Sequence, residues 1–410
     1  MSTAQSILAS TEFQMSLLLL IALAGYLIAY WVNQSAVVGI ILVGILLGPS
    51  CIGLISPTEF VVNLAHLGAV VLLFTIGLEF GFKQVANFKY LLIATFGVLV
   101  PWLGGFFLAQ VFLFDYKASI FIGTSLTATS IAITANVLKE MGKLQSAVAQ
   151  AIIGAAVIDD VLVLLALSVS EGFVSNTLSL PVILIALAKA IGFIVAGILL
   201  GRFAFAKILI RLDRTGVAEK YPESIFLFAI MIAFLYAMLA GLAGLSSIIG
   251  SFFAGVSFAG INLKHEQIFR EGAEYLRIIF ASIFFISLGV LMNVQVINLE
   301  FLLFLAALTL VAIVTKVVGC GFAAKMIGMN IKDSLIVGFG MTPRGEVTMI
   351  VALIALNGSM IFQNTYSAVV LMSLLTTVIT PIVLKNWLFR ERSTARKGGG
   401  ENQITRKSLT

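Results

Sequence analysis

Charged residues are scarce in this sequence of 410 amino acids, because Asp, Glu, Lys and Arg together make up only 11% of it. Soluble globular proteins carry about a quarter charged residues. Hydrophobic residues make up 60% of the chain, so a water-soluble fold of this size could not cover its surface with polar groups. The composition therefore excludes a soluble fold and predicts a protein that has the lipid bilayer as its solvent.

Cysteine and histidine are also rare. Cys51 lies in a predicted loop and Cys320 in a predicted apolar segment far along the chain, so the sequence has no disulfide framework. His66 and His265 are isolated, and neither belongs to a metal-ligand spacing. We therefore expect no cofactor. No basic residue precedes the first apolar segment, which has Glu12 at its flank, and this argues against a secretory signal peptide.

Long apolar runs fill most of the chain. A bilayer-spanning helix needs about 20 mostly apolar residues, and the sequence predicts an all-α polytopic membrane protein with thirteen transmembrane helices. Beyond Arg392 the chain becomes polar and glycine-rich, so we predict a disordered cytoplasmic tail over residues 393–410. The predicted segments are 13–31, 35–49, 62–80, 89–114, 118–138, 146–169, 181–205, 222–241, 243–261, 276–293, 299–325, 332–357 and 365–390.

Lysine and arginine predict the orientation, because they favour the cytoplasmic side of a membrane. With the N-terminus outside, nearly all of them fall in inner loops or near the C-terminus. We therefore predict a prokaryotic inner-membrane protein with a cytoplasmic C-terminus. The net charge of +6 comes from basic residues in the loops and the tail and is explained by this topology. We therefore expect no nucleic-acid partner. The exceptions to the charge pattern are Lys117, Lys189, Lys316 and Arg344.

Predicted segments 4–6 and 11–13 have matching length patterns and opposite orientations. Such inverted repeats are typical of secondary transporters, in which the substrate site lies where interrupted helices meet near the membrane midplane. Segment 5 is interrupted at residues 127–130 (Thr-Ala-Thr-Ser), and segment 12 at residues 342–346 (Thr-Pro-Arg-Gly-Glu). Polar residues interrupt the first segment, and proline and glycine, which break the helical hydrogen-bond ladder, interrupt the second, so we predict two discontinuous helices.

Charged residues within the apolar segments are the strongest functional signal. A charge at the bilayer centre costs about 2.5–3.5 kcal/mol or more, so it needs a partner and usually has a function. Asp159 and Asp160 are neighbours in segment 6, and Lys316 lies in the middle of segment 11. Lys316 suits the role of counter-charge. Arg344 and Glu346 flank the break in segment 12, where they would neutralise the partial charges of half-helix ends.

The two adjacent aspartates cannot do the same job, since neighbouring residues on a helix point about 100° apart. One can face a basic partner while the other faces a water-filled cavity. A carboxylate in such a cavity can exchange a proton for a cation. A small hard cation prefers oxygen ligands, which Asp159, Asp160, unwound carbonyls and the hydroxyls of Thr127, Thr129 and Ser130 can supply. The pattern predicts proton-coupled transport of a small monovalent cation.

Other interpretations of these residues stay open. Buried acids can be structural when they pair with a base, and the hydroxyls at 127–130 can bond their own backbone. Lys189 can extend to the outer surface or lie at a subunit contact. An ion channel is the nearest uncoupled alternative. An intramembrane aspartyl protease needs two acids that share a proton across a water molecule, whereas Asp159 and Asp160 diverge and Lys316 has no part in such chemistry.

These motifs resemble the monovalent cation:proton antiporter-2 family, and within it the NapA-type sodium/proton antiporters. The similarity extends to about residue 390. The motifs are specific in combination, and none suffices alone. They are Gly44–Pro49, Leu67–Glu79, Thr127–Ser130, Val157–Val161, Lys316 and Pro343–Glu346.

The resemblance implies an NhaA/NapA-like antiporter fold and a homodimer in membrane lipid. In each protomer a dimerisation domain stays fixed while a core domain with the crossed helices moves like an elevator. The expected ranges are 1–392 for the membrane domain, 89–170 and 299–390 for its core, 13–80 and 181–261 for dimerisation, and 274–293 for a linking helix.

The resemblance also implies roles for single residues. Asp160 would bind the transported Na⁺ or the proton, Asp159 would pair with Lys316, and Thr129 would lie in the unwound crossing. Thr127, Ser130, Arg344 and Glu346 would support the helix breaks. An Asp-Asp pair with the lysine resembles the electrogenic branch, so we expect electrogenic exchange of protons for Na⁺ or Li⁺.

A K⁺/H⁺ antiporter of the Kef type is the main alternative within this family. Such relatives carry a cytosolic nucleotide-binding domain, which this chain is too short to hold. That difference favours the sodium/proton interpretation.

Overall fold

A computed structural model of the chain describes residues 10–49, 51–80, 89–174, 180–290 and 298–389. Helices make up the regular structure in these ranges, and none of the described residues forms a β-strand. The all-α prediction is therefore confirmed. The helices of the first half are α1 (Thr11–Trp31), α2 (Ala36–Leu47), α3 (Glu59–Gly77), α4 (Lys89–Val111), α5 (Tyr116–Ser125), α6 (Ile131–Glu140), α7 (Ala147–Val174) and α8 (Leu180–Leu200).

The second half continues in the same way, and polar residues start several of its helices. Asn298 and Asn330 accept hydrogen bonds from the first turns of the helices that follow them, which satisfies backbone N–H groups that have no helical partner. The helices are α9 (Ala206–Asp213), α10 (Gly216–Lys220), α11 (Glu223–Leu242), α12 (Ser247–Phe258), α13 (Glu266–Val290), α14 (Leu299–Met326), α15 (Ile331–Gly340), α16 (Glu346–Asn357) and α17 (Gln363–Val383).

Nine helices in the described ranges are long and apolar enough to cross a membrane. Three further apolar helices are shorter, at Ala36–Leu47, Ser247–Phe258 and Val347–Leu356. Each predicted segment coincides with helical structure, with segments 5 and 12 divided into halves. The count of thirteen membrane crossings stays a prediction, and the predicted tail 393–410 lies outside the described residues.

The predicted end of segment 7 at residue 205 is wrong. Helix α8 continues through a π-helical turn at Gly201–Phe205 into α9, so the helix ends at Asp213. The basic residues Lys207 and Arg211, predicted to lie in a loop, are helical. Lysine and arginine are good helix formers whose long side chains reach water from a helix end.

The helices form two bundles. In the first, α13 packs against α1, α2, α3 and α11, and α12 packs against α3 and α11. In the second, α4 packs against α5, α7 and α14, while α14 also contacts α15 and α17. Helix α8 contacts α7 of the second bundle and both α11 and α12 of the first. The second bundle contains both predicted repeats, whose first helices, α4 and α14, lie against each other.

Candidate ion-binding site

The two interrupted helices cross in the second bundle. The first is divided between α5 and α6, and the second between α15 and α16. At the crossing the backbone N–H of Ser130 donates to the carbonyl of Pro343 at 2.8 Å. The Thr134 hydroxyl donates to the Gly340 carbonyl at 2.6 Å, and the Thr129 hydroxyl to the Met341 carbonyl at 3.3 Å. Each break thus supplies partners for backbone groups that the other break leaves free.

Glycine at position 345 makes this close crossing feasible. A Cβ atom there would lie 2.9 Å from both Cβ and Oγ of Ser130, which is closer than such atoms approach. The extended backbone just before α16 therefore lies against the start of α6 without an intervening side chain. This explains why the sequence has Gly345 between the charged residues Arg344 and Glu346.

A buried ion pair lies beside the crossing. The Lys316 ammonium is 3.1 Å from Oδ1 of Asp159, and both side chains are at most 1% exposed. The ammonium also donates to the carbonyls of Gly97 at 2.6 Å and Thr127 at 2.7 Å. An ammonium has three N–H donors, so each can find an acceptor here. This complete set of partners offsets the cost of burying the two charges.

Asp160 faces different surroundings from Asp159. It borders a small cavity of about 30 Å³, and the backbone N–H of Ser246 donates to its Oδ2 at 3.4 Å. The cavity is large enough for a particle the size of a water molecule. The two aspartates therefore diverge, as the geometry of a helix predicts. The cavity is lined by Thr129, Ser130, Ile131, Ala132, Asp160, Ser246, Ile248, Ile249, Gly345 and Val347.

Arg344 holds the end of the first half-helix. Its side chain is fully buried, with Nη1 donating to the Ala128 carbonyl at 2.7 Å and Nη2 to the Ala312 carbonyl at 3.2 Å. The carbonyl end of α5 carries a partial negative charge, which the guanidinium offsets. This contact favours the structural interpretation of Arg344. The side chain of Glu346 lies outside the described part of the structure.

The three hydroxyls predicted as cation ligands differ in position. Thr129 and Ser130 line the cavity at Asp160. The Thr127 hydroxyl donates to the Thr124 carbonyl at 2.7 Å, so Thr127 contributes to the site through its own carbonyl, which receives Lys316. Lys189 is exposed on α8.

An ionic network joins the C-terminal end of α6 to the first bundle. Lys139 lies between Glu79 and Glu274, with Nζ at 3.0 Å from a carboxylate oxygen of each. Glu274 also pairs with Arg277 on the same helix, α13. The predicted orientation places this end of α6 on the cytoplasmic side.

The network extends along α6 to the start of α2. Arg277 donates to the Asn136 side chain at 2.9 Å, and Asn136 donates to Glu140 at 2.9 Å. The Glu140 carboxylate accepts bonds from the Ser35 hydroxyl and the Ala36 N–H. One half of an interrupted helix is therefore joined to the start of α2, to Glu79 just after α3, and to α13.

Several partners in the site could not be read from the sequence. Gly97 and Ser246 act through backbone atoms, which leave no side-chain signal. The one signal for Ser246 in the sequence is its position directly before the apolar run at 247–258. In the structure Ser246 caps α12 there. In the described ranges no group of three or more His, Cys, Asp and Glu residues could hold a metal ion.

Comparison with known proteins identifies the class of this molecule. The family model described as the transmembrane sodium/hydrogen exchanger matches residues 17–390. The chain belongs to the sodium/hydrogen exchanger family. This confirms the predicted cation:proton antiporter family and places the chain among membrane transporters rather than enzymes. The NapA-type subdivision stays a prediction.

Two bacterial relatives align with most of this chain. The Na⁺/H⁺-K⁺ antiporter GerN of Bacillus cereus is 33% identical over 377 residues, which are 91% of this chain and 95% of that protein. An Na⁺/H⁺ antiporter of Enterococcus hirae is 34% identical over 356 residues, 85% of this chain and 91% of that protein.

A solved structure supports the fold of this chain. The sodium proton antiporter MjNhaP1 from Methanocaldococcus jannaschii aligns with a TM-score of 0.71 over 92% of this chain and 96% of that one, at 18% identity. The antiporter fold is therefore confirmed, independently of sequence identity.

Proposed function

We propose that this protein is a secondary active antiporter that exchanges protons for a monovalent cation, Na⁺ or Li⁺, at Asp160. The observation that carries the proposal is that the two neighbouring aspartates have different surroundings. Asp159 is paired with Lys316 in a buried ion pair, whereas Asp160 borders a small cavity at the crossing of two interrupted helices. One aspartate therefore has a fixed counter-charge, and the other is placed to receive an ion.

The exchange follows from the chemistry of a single carboxylate. Asp160 holds either a proton or a cation, so arrival of one releases the other. The Thr129 and Ser130 hydroxyls that line the same cavity supply further oxygen atoms for a small hard cation. Protons and cations thus cross in opposite directions when the cavity opens to one side of the membrane and then to the other.

Sodium is the first candidate and potassium the second. The cavity of about 30 Å³ has room for a monovalent ion stripped of most of its water, and the names of the relatives set the order of testing. The Enterococcus hirae relative is named an Na⁺/H⁺ antiporter, and the Bacillus cereus relative an Na⁺/H⁺-K⁺ antiporter. The second name favours testing K⁺ beside Na⁺ and Li⁺. An uncoupled ion channel would conduct without moving protons.

The transport is proposed to be electrogenic. One carboxylate that trades one proton for one cation moves no net charge, so a second proton must be carried by the Asp159–Lys316 pair. A cycle that carries more than one proton for each cation would then respond to the membrane potential. This stoichiometry rests on the sequence resemblance and on the geometry of the pair.

The elevator motion is proposed for the second bundle, α4–α7 with α14–α17, against the first. Helix α13 packs among α1, α2 and α3, so we group it with the fixed bundle in place of the linking role predicted for residues 274–293. The helix formed by α8 and α9 contacts both bundles and suits the linking role. We propose a homodimer, assembled in membrane lipid through the fixed bundle.

The network at Lys139 must break when the second bundle moves. Its ion pairs are partly exposed, at 20–42%, and such pairs contribute about 0.2–1 kcal/mol each. We expect Lys139→Ala to shift the conformational equilibrium several-fold towards an inward-open state. A cysteine at Ala132, which lines the Asp160 cavity, should then react faster with an impermeant thiol reagent from the cytoplasmic side, in a Cys51→Ser background.

Lys332→Ala is the matched control, since Lys332 is an exposed lysine of the second bundle outside this network. It should leave the labelling rate of the introduced cysteine unchanged. Equal labelling rates in the parent and in Lys139→Ala would contradict the role of the network as a closure on the cytoplasmic side.

The proposed topology can be tested with the native cysteines. Cys51 is exposed in the loop after α2, and Cys320 is buried in α14. With the N-terminus outside, an impermeant thiol reagent should label Cys51 in intact cells and leave Cys320 unlabelled. Labelling of Cys51 in inverted vesicles but not in intact cells would reverse the orientation.

The function itself is tested in proteoliposomes with an imposed pH gradient. Addition of Na⁺ or Li⁺ should move protons across the membrane, and clamping the membrane potential should change the rate. Parallel additions of K⁺ decide between the two cation candidates. Cation flux without proton movement would favour a channel.

A further inference from the structure

Helix α4 contains a buried proline in its interior, Pro101. Proline has no backbone N–H, so it cannot donate to the carbonyl of the residue four positions earlier. In α4 that carbonyl belongs to Gly97. A proline inside a helix usually costs stability, and its presence beside the proposed ion site calls for an explanation.

The freed carbonyl is the one that Lys316 uses. The ammonium donates to the Gly97 carbonyl at 2.6 Å, the shortest of its three hydrogen bonds. The Thr127 carbonyl, which follows the end of α5, provides the second neutral acceptor. Interruptions of two different helices, α4 by proline and α5 by its break, therefore provide the backbone acceptors for one buried cation.

Glycine at position 97 allows the approach. A Cβ atom there would lie 2.7 Å from Sγ of Cys320 and 3.5 Å from Nζ of Lys316. A side chain would therefore push α14 away from α4 at the level of the ammonium. Gly97 has no side chain and Pro101 has no N–H, so this turn of α4 presents a free carbonyl that can accept a hydrogen bond.

We propose that Pro101 is a positioning residue for Lys316, because it withholds the N–H that would otherwise occupy the Gly97 carbonyl. Two neutral carbonyls then keep the ammonium in place when the charge beside it changes. The consequence for transport rests on the function proposed above. The coupling between Pro101 and Lys316 is a property of the fold and can be tested without transport.

The first test is a thermal-stability cycle on the purified protein. Pro101→Ala is made in the parent and in the double variant Asp159→Asn/Lys316→Met, which removes both charges of the pair together and so avoids an unpaired buried acid. Alanine should raise Tm in the uncharged background, because it restores a helical hydrogen bond. In the parent the rise should be smaller or reversed, since the restored N–H competes with the ammonium. Equal Tm shifts in the two backgrounds would overturn the proposal.

Pro381→Ala is the matched control. Pro381 is also a buried proline inside a helix, α17, and it frees the carbonyl of residue 377, which does not receive Lys316. Its Tm shift should be the same in both backgrounds. If the uncharged double variant does not fold, Asp159→Leu/Lys316→Met, in which apolar side chains replace both charges, takes its place in the same cycle, with the same expected and contradicting results.

The second test separates the missing N–H from the shape of the proline ring. Lactic acid introduced at position 101 by nonsense suppression replaces the backbone N–H with an ester oxygen and has no ring. Pro101→Ala should lower the exchange rate in proteoliposomes about tenfold, as expected for a weakened hydrogen bond to a charged group. The ester variant should keep a rate near that of the parent.

An alanine variant with the parental rate, or an ester variant as slow as the alanine variant, would contradict the positioning role. A parent protein that exchanges no ions would instead contradict the proposed function. The stability cycle would still decide whether Pro101 acts through Lys316.

Discussion

Asp160→Asn is expected to abolish cation-driven proton movement in proteoliposomes while the protein stays folded. Asparagine keeps the size of the side chain and can still accept the N–H of Ser246, but it cannot carry the negative charge that alternates between a proton and a cation. Since exchange requires that charge, the residual rate should be that of empty liposomes. The measurement is proton movement on addition of Na⁺, over a series of pH values.

Asp159→Asn is the matched control, because it changes the adjacent residue on the same helix in the same way. It removes the carboxylate partner of Lys316, but the ammonium keeps the carbonyls of Gly97 and Thr127. Some exchange should therefore survive, with a weaker response to voltage. Near-parental exchange in Asp160→Asn would show that another carboxylate, Asp159 or Glu346, is the coupling residue.

Lys316→Gln is expected to have the largest effect on stability. Removing one partner of a buried ion pair typically costs about 3–5 kcal/mol, since the remaining charge is left uncompensated. Here Asp159 would be that charge, at 1% exposure. We expect a clear fall in Tm of the purified protein and, in proteoliposomes, exchange that depends less on the membrane potential.

Lys189→Gln serves as the control for this substitution, because Lys189 is exposed on α8. Its Tm and voltage dependence should match those of the parent. A Lys316→Gln variant that is as stable and as voltage-sensitive as the parent would exclude the counter-charge role of Lys316.

The positions of the helix breaks could be predicted from the sequence, because the residues that cause them are conspicuous. Pro343 and Gly345 interrupt one apolar segment, and the polar run 127–130 interrupts another. The structure places both breaks at these positions and crosses them. The divergence of Asp159 and Asp160 was also predictable, since it depends only on the geometry of a helix.

The partners of these side chains were less predictable. Gly97, Thr127 and Ser246 act through backbone atoms, and any residue type carries such atoms. The Thr127 hydroxyl bonds the carbonyl of Thr124, which is one of the two alternatives that the sequence left open for it. The site therefore depends on which backbone groups a break or a proline leaves free.

The ionic network at Lys139 was also invisible in the sequence. Its members come from positions as distant as Ser35, Glu140 and Arg277, and only the packing of α6 against the first bundle brings them together. The extension of α8 into α9 was missed for a different reason. Basic residues mark the membrane boundary, but a helix continues through it wherever its backbone bonds are satisfied.

The most direct test of the central claim is the pH dependence of Na⁺ binding to the purified protein. If one proton and one Na⁺ compete for the Asp160 carboxylate, the apparent Kd for Na⁺ should rise about tenfold for each unit of pH below the pKa of the site. Asp160→Asn should show no such binding. An Na⁺ affinity that stays constant between neutral and acidic pH would contradict exchange at a shared carboxylate.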